Sequence, residues 1–120
     1  MKKFFKKAMA SAVATTSLTV CMVGFNASAS AYGTTTMGGN GTGYLYVSSS
    51  KLYAYTEGEA YKSKNVAIYA ITGSPNDTSK SNVAYNLPKV TVEIYGSNMT
   101  GAHSDHEIGS SGTYSLYVVG

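Results

Sequence analysis

The clearest pattern in the chain runs from Lys89 to Tyr95. Val90, Val92 and Ile94 alternate there with Lys89, Thr91, Glu93 and Tyr95. A period of two with one apolar side predicts a half-buried β-strand. Between Asn65 and Thr72 the alternation is apolar on both sides: Val66, Ile68 and Ala70 against Ala67, Tyr69 and Ile71. That pattern predicts a strand covered on both faces, in the middle of a sheet. Four further β-type runs lie at Tyr44–Val47, Lys51–Thr56, Val83–Leu87 and Thr113–Val119, set off by Gly, Ser, Asn or Pro close by. No helical stripe occurs beyond residue 31. Short strands recurring between turn residues predict an all-β domain over residues 44–120, a small antiparallel β-sandwich or partly open barrel of six to seven strands. Residues 32–43 are rich in Gly and Thr and read as a flexible lead-in.

The first 31 residues follow different rules. Met1–Lys7 carries four lysines, Ala8–Gly24 carries no charge, and Asn26–Ala31 is a run of small residues. This is the layout of a secretory signal peptide, with cleavage expected after Ala29 or Ala31 and a secreted product. A retained anchor is the competing reading. The apolar stretch from Ala8 to Phe25 is near the lower limit for a membrane span, and Ser11, Thr15, Thr16, Ser17 and Thr19 weaken it. Cys21 is the one cysteine, so removal of the segment leaves a chain without disulfides or thiol chemistry. The membrane is then met only through the uncleaved signal.

Charge changes meaning once that segment is set aside. The net charge of +3 includes Lys2, Lys3, Lys6 and Lys7; the remaining five Lys face six Asp and Glu, giving −1 with no Arg. That balance excludes a nucleic-acid partner, which needs a basic surface. Val, Ile and Leu are scarce beyond residue 31, whereas all eleven Tyr lie there. The expectation is a core built partly from tyrosine, with some rings turned outward. Tyr53 and Tyr55 share one strand face, and Tyr95 ends another strand. Exposed together, they would form a contact patch for a partner.

One dense polar cluster remains, Ala102-His103-Ser104-Asp105-His106-Glu107, which holds both histidines. As a strand it places His103, Asp105 and Glu107 on one face, a set that could hold a divalent cation. As a turn it could bring His103 and His106 together for zinc. A solvated polar edge is the plain alternative. Gly109-Ser110-Ser111-Gly112 lacks the spacing of a nucleophile elbow. The glycines of residues 38–43 lack the Gly-Lys-Ser/Thr ending of a phosphate loop. No catalytic set and no cofactor site emerge.

The Lys-rich leader followed by a short Gly, Ser, Thr and Tyr-rich body without cysteine resembles small exported proteins of Gram-positive bacteria. In organisation it is similar to the lactococcin-type β-sandwich bacteriocins, which act outside the cell. The expectation is a non-enzymatic secreted domain that binds an extracellular partner or a cell-envelope component. A bacteriocin-like antagonist and a structural subunit assembling through its strand edges are the alternatives.

Overall fold

The computed structural model describes residues 19–22, 30–37, 41–110 and 112–119. The elements are β1 (Thr19–Met22), β2 (Ala31–Met37), β3 (Gly41–Val47), β4 (Lys51–Glu57), β5 (Lys64–Pro75), β6 (Ser79–Ala84), β7 (Lys89–Ile108) and β8 (Thr113–Val119). The described chain is all-β, and apart from β1 every pairing is antiparallel. The fold is the small open β-sandwich that the alternation predicts.

Two layers share one strand. The first runs β2-β3-β4-β7, with β7 contributing Lys89–Tyr95 opposite Lys51–Glu57. The second runs β6-β5-β7-β8-β1, where the rest of β7 pairs with β5 and then with β8. β7 is 20 residues long and crosses from one layer to the other. Strands that change sheet do so at bends or bulges. Here the ladder between β5 and β7 slips between Ala70 and Thr72 and again between Thr72 and Ser74. Asn98 and Gly73 take positive φ beside those slips.

Inward side chains meet between the layers. Leu45, Val47, Leu52, Ala54, Val90, Val92 and Ile94 come from the first layer. Val66, Ile68, Ala84, Met99, Ala102, Leu116 and Val118 come from the second. Each fully buried Val, Leu or Ile adds about 1.5–3 kcal/mol relative to exposure, so this slab dominates the stability. Lys64 is also buried. Its ammonium donates to the carbonyls of Glu59 and Lys62 at 2.5 and 2.7 Å, tying the β4–β5 loop down. Burial lowers its pKa from the ordinary lysine value.

Three expectations change. No described tyrosine is in the core; all are half-buried or exposed, and the interior is aliphatic with small residues filling the gaps. The lead-in expected over residues 32–43 instead contains most of β2 and the start of β3. Tyr32, Thr34 and Thr36 face outward there while Gly33, Thr35 and Met37 are buried, so the segment has a strand's alternation written in small residues. The strand expected over Lys89–Tyr95 continues to Ile108. The segment read as a signal lies largely outside the described residues; of its described part, Thr19–Met22 pairs in parallel with Ser115–Val118, and Ala31 begins β2.

Gly73 tests the crossing. Its φ is +103°, and a Cβ there would stand 2.6 Å from the Cα of Met99. Gly73→Ala therefore meets both backbone strain and a backbone clash. It should lower the unfolding free energy by about 2–4 kcal/mol in urea titrations. Gly101→Ala, where the nearest atom is 3.3 Å away, should cost clearly less.

Candidate functional site

Strand alternation divides the 102–107 cluster into two sets with opposite surroundings. Ser104 and His106 point into the sandwich and are fully buried. His103, Asp105 and Glu107 lie on the opposite face of the second layer, as the strand reading of the cluster expects; His103 is half-buried there, and Asp105 and Glu107 are buried. The convergence of His103 and His106 that a turn would give does not occur.

His106 is fully buried against the backbone of β3. Gly43 faces it from β3, and a Cβ there would lie 2.8 Å from the imidazole Cγ. Thr56 Oγ1 donates to the carbonyl of Asn65 at 2.8 Å, so it accepts from His106 Nδ1 at 3.0 Å. His106 Nε2 is then the acceptor for Ser104 Oγ at 2.8 Å. The network therefore assigns a neutral ring protonated at Nδ1. Burial pushes its pKa down to about 4, against a weaker opposing pull from the Asp105 charge and the Tyr55 carbonyl. A Ser–His contact oriented by a third group has the outline of a nucleophile and base. With both side chains sealed, no substrate atom reaches it, and it serves as a buried polar brace.

The outward set forms rows across three strands. Tyr69, His103 and Tyr117 stand side by side, then Ala67, Asp105 and Ser115, then Asn65, Glu107 and Thr113. The His103 ring is stacked between the two tyrosines, 5.2 Å from Tyr69 and 4.3 Å from Tyr117, the latter almost parallel. His103 Nε2 meets Asp105 Oδ1 at 2.7 Å, and Ser115 Oγ donates to the same oxygen at 2.5 Å. Glu107 accepts from Asn65 Nδ2 at 3.0 Å and from Thr113 Oγ1 at 3.3 Å. Burial raises the Glu107 pKa, and those two hydrogen bonds oppose the rise. The three proposed metal donors thus share a face, but only His103 and Asp105 touch, and the carboxylates are already committed to side-chain donors. Among the described residues, no group of three or more His, Cys, Asp or Glu is placed to hold a metal ion.

The other candidate surface is the outer face of the first layer. Tyr53 and Tyr55 lie there as expected, 6.1 Å apart edge to face. Tyr95 lies on the same face, opposite Lys51, and is half exposed. Three further rings join them. Tyr44 stacks on Tyr55 at 4.9 Å, Tyr32 stacks on Tyr44 at 5.8 Å, and Tyr46 stands opposite Tyr53. Tyr44 and Tyr46 were readable as a same-face pair, but not the face they would take. Tyr32 was hidden by the Gly/Thr composition around it.

The 4.9 Å separation matches the spacing between neighbouring strands. The stacked rings therefore turn their faces toward each other, leaving edges and hydroxyls outward. Lys89 covers the far side of Tyr55 at 4.5 Å, and Lys51 lies 5.4 Å from the centre of Tyr53. Lys51 also pairs with Glu93 at 3.1 Å, and Tyr95 donates to Glu93 at 2.9 Å. Those contacts hold the Glu93 carboxyl below its usual range, the Tyr95 hydrogen bond contributing most. A groove of about 420 Å³ opens beside this corner, lined by Lys80, Asn82, Thr91, Glu93 and Tyr95.

No protein-family model matches the chain, and no curated protein matches it. Among solved structures, the chain is similar to the RGD-containing host-selective toxin Ptr ToxA of Pyrenophora tritici-repentis, at 8% identity and a TM-score of 0.40, over 69% of this chain and 84% of that one. It is also similar to the ASH/PapD-like domain 7 of human CEP192, at 6% identity and a TM-score of 0.31, over 84% of this chain and 79% of that one.

The buried imidazole makes stability depend on pH. Unfolded, the ring binds a proton below its ordinary value of 6.5; folded, it does so only below about 4. Between those values the unfolded state holds more protons, so stability falls as pH falls. The loss should reach about 3 kcal/mol by pH 4. Glu107, with its raised folded pKa, acts in the opposite sense. Urea titrations from pH 7 to pH 4 should show the wild type losing stability more steeply than His106→Gln, and the difference isolates the imidazole.

Proposed function

We propose that this chain is a small secreted, non-enzymatic binding protein that uses the tyrosine face of its first layer to dock on an extracellular partner or a cell-envelope component. The observation that carries this reading is the gathering of Tyr32, Tyr44, Tyr46, Tyr53, Tyr55 and Tyr95 on one outer face, away from a core that is complete without them. Tyr32, Tyr44, Tyr53 and Tyr55 are held by mutual ring contacts, and rings so held bring contact area with little entropy left to lose, which is how tyrosine is used on binding surfaces. The face carries Lys51, Lys89, Glu57 and Glu93 beside the rings, with both signs represented. Such a surface suits a broad, hydroxyl-rich or mixed-polarity target rather than a polyanion. The non-enzymatic part of the reading is supported by the enclosure of the Ser104–His106 pair.

The test uses residues 32–120 cosedimented with purified Gram-positive sacculi. Retention should be saturable. The double variant Tyr44→Ser with Tyr55→Ser should lose at least about tenfold in affinity, as expected when central aromatic anchors are removed, while keeping its β-sheet circular dichroism. Equal retention of wild type and double variant would sink the assignment of this face. No retention of either would sink the envelope as the target.

A further inference from the structure

The outer edge of β8 carries the next inference. Here β8 is flanked by β7 on one side and β1 on the other, and among the described residues β1 pairs with Ser115–Val118. β1 also runs beside β2, so it fills the seam where the two layers come together. Yet β1 belongs to the segment whose charge and residue pattern mark it as an export signal. Once that segment is cut away, the backbone donors and acceptors of β8 that faced β1 lose their partners.

Free edges invite pairing, and proteins usually blunt them with lysine, proline, bulges or short strands. The β6 edge is treated that way, with Lys80 inside it and Asp77 just ahead. β8, Thr113–Val119, has neither charge nor proline, and no register shift interrupts its pairing with β7. It is also the edge on which a foreign-type strand, parallel and only four residues long, is already seated.

We propose that in the processed protein two copies pair β8 against β8, antiparallel about a two-fold axis, in place of β1. Two identical strands related by such an axis run antiparallel, and the contact closes on itself without a second surface. The absence of charge matters, because facing like charges would oppose this pairing. Four to seven residues of strand bury little area, so the dimer is weak and its population follows concentration. This inference rests on removal of residues 1–31 but is independent of the tyrosine face, which lies on the other layer.

The experiment is sedimentation equilibrium of residues 32–120. The average mass should climb from one chain toward two, and no further, between about 10 µM and 1 mM, the range in which a contact of this size acts. A synthetic peptide copying residues 17–24 should return the mass to one chain, whereas a scrambled peptide should not. Tyr114→Lys and, separately, Val119→Lys should each weaken association at least tenfold while retaining the β-sheet spectrum. A strict monomer at 1 mM, as when β2 and β8 close the seam within one chain, overturns the proposal. Growth beyond two chains also overturns it, because that signature belongs to head-to-tail pairing of β8 with β6.

Discussion

Everything in this molecule depends on apolar side chains from two layers meeting across the interior. There is no cysteine beyond Cys21, so residues 32–120 have no disulfide to constrain the unfolded chain. Cohesion comes from inward positions such as Leu45, Leu52, Ile68, Ile94 and Leu116, all fully buried. Glycine, alanine and threonine occupy the remaining inward positions, and a close-packed interior of this kind tolerates little change in volume.

The His106 end of the slab shows how that constraint is met. Where aliphatic side chains run out, Gly43 leaves a notch, the His106 ring fills it, and hydroxyls from Ser104 and Thr56 satisfy both nitrogens. A buried imidazole is tolerable only when each nitrogen has a partner. The same segment of β7 presents His103 to the outside two tyrosines wide. One histidine is therefore a packing element and the other a surface element, three residues apart, because a strand sends odd and even positions to opposite sides.

Much of the fold was legible for this reason. The Lys89–Tyr95 alternation names its buried face residue by residue, and the doubly apolar 65–72 run marks the strand that lies between β6 and β7. Two features were not legible. Gly96, Ser97, Asn98 and Gly101 form the slack that lets β7 bend from one layer into the next, and only the partners on both sides reveal it. The tyrosines were misplaced because a shortage of Val, Leu and Ile seemed to demand aromatic filling. Small residues such as Gly43, Ala54 and Ala102 take inward positions instead. Alternation tells which rings share a face and leaves the choice of face to long-range pairing. For the 102–107 cluster, the pattern gave the correct outward trio, while the commitment of Glu107 to Asn65 and Thr113 depends on strands far away in the chain.

The shared strand has a consequence for how the molecule comes apart. In a sandwich whose layers are joined only by loops, one sheet can melt while the other survives. Here the same backbone serves as a rung in both ladders, so releasing one half of β7 strips its neighbours in the other. Partial opening is confined to strands paired on one side, β2 and β6, and to the β8 edge with the short β1 on it. The amides of β4, β5 and β7 should exchange with solvent deuterium at a common rate set by complete unfolding, as a single foldon rather than two.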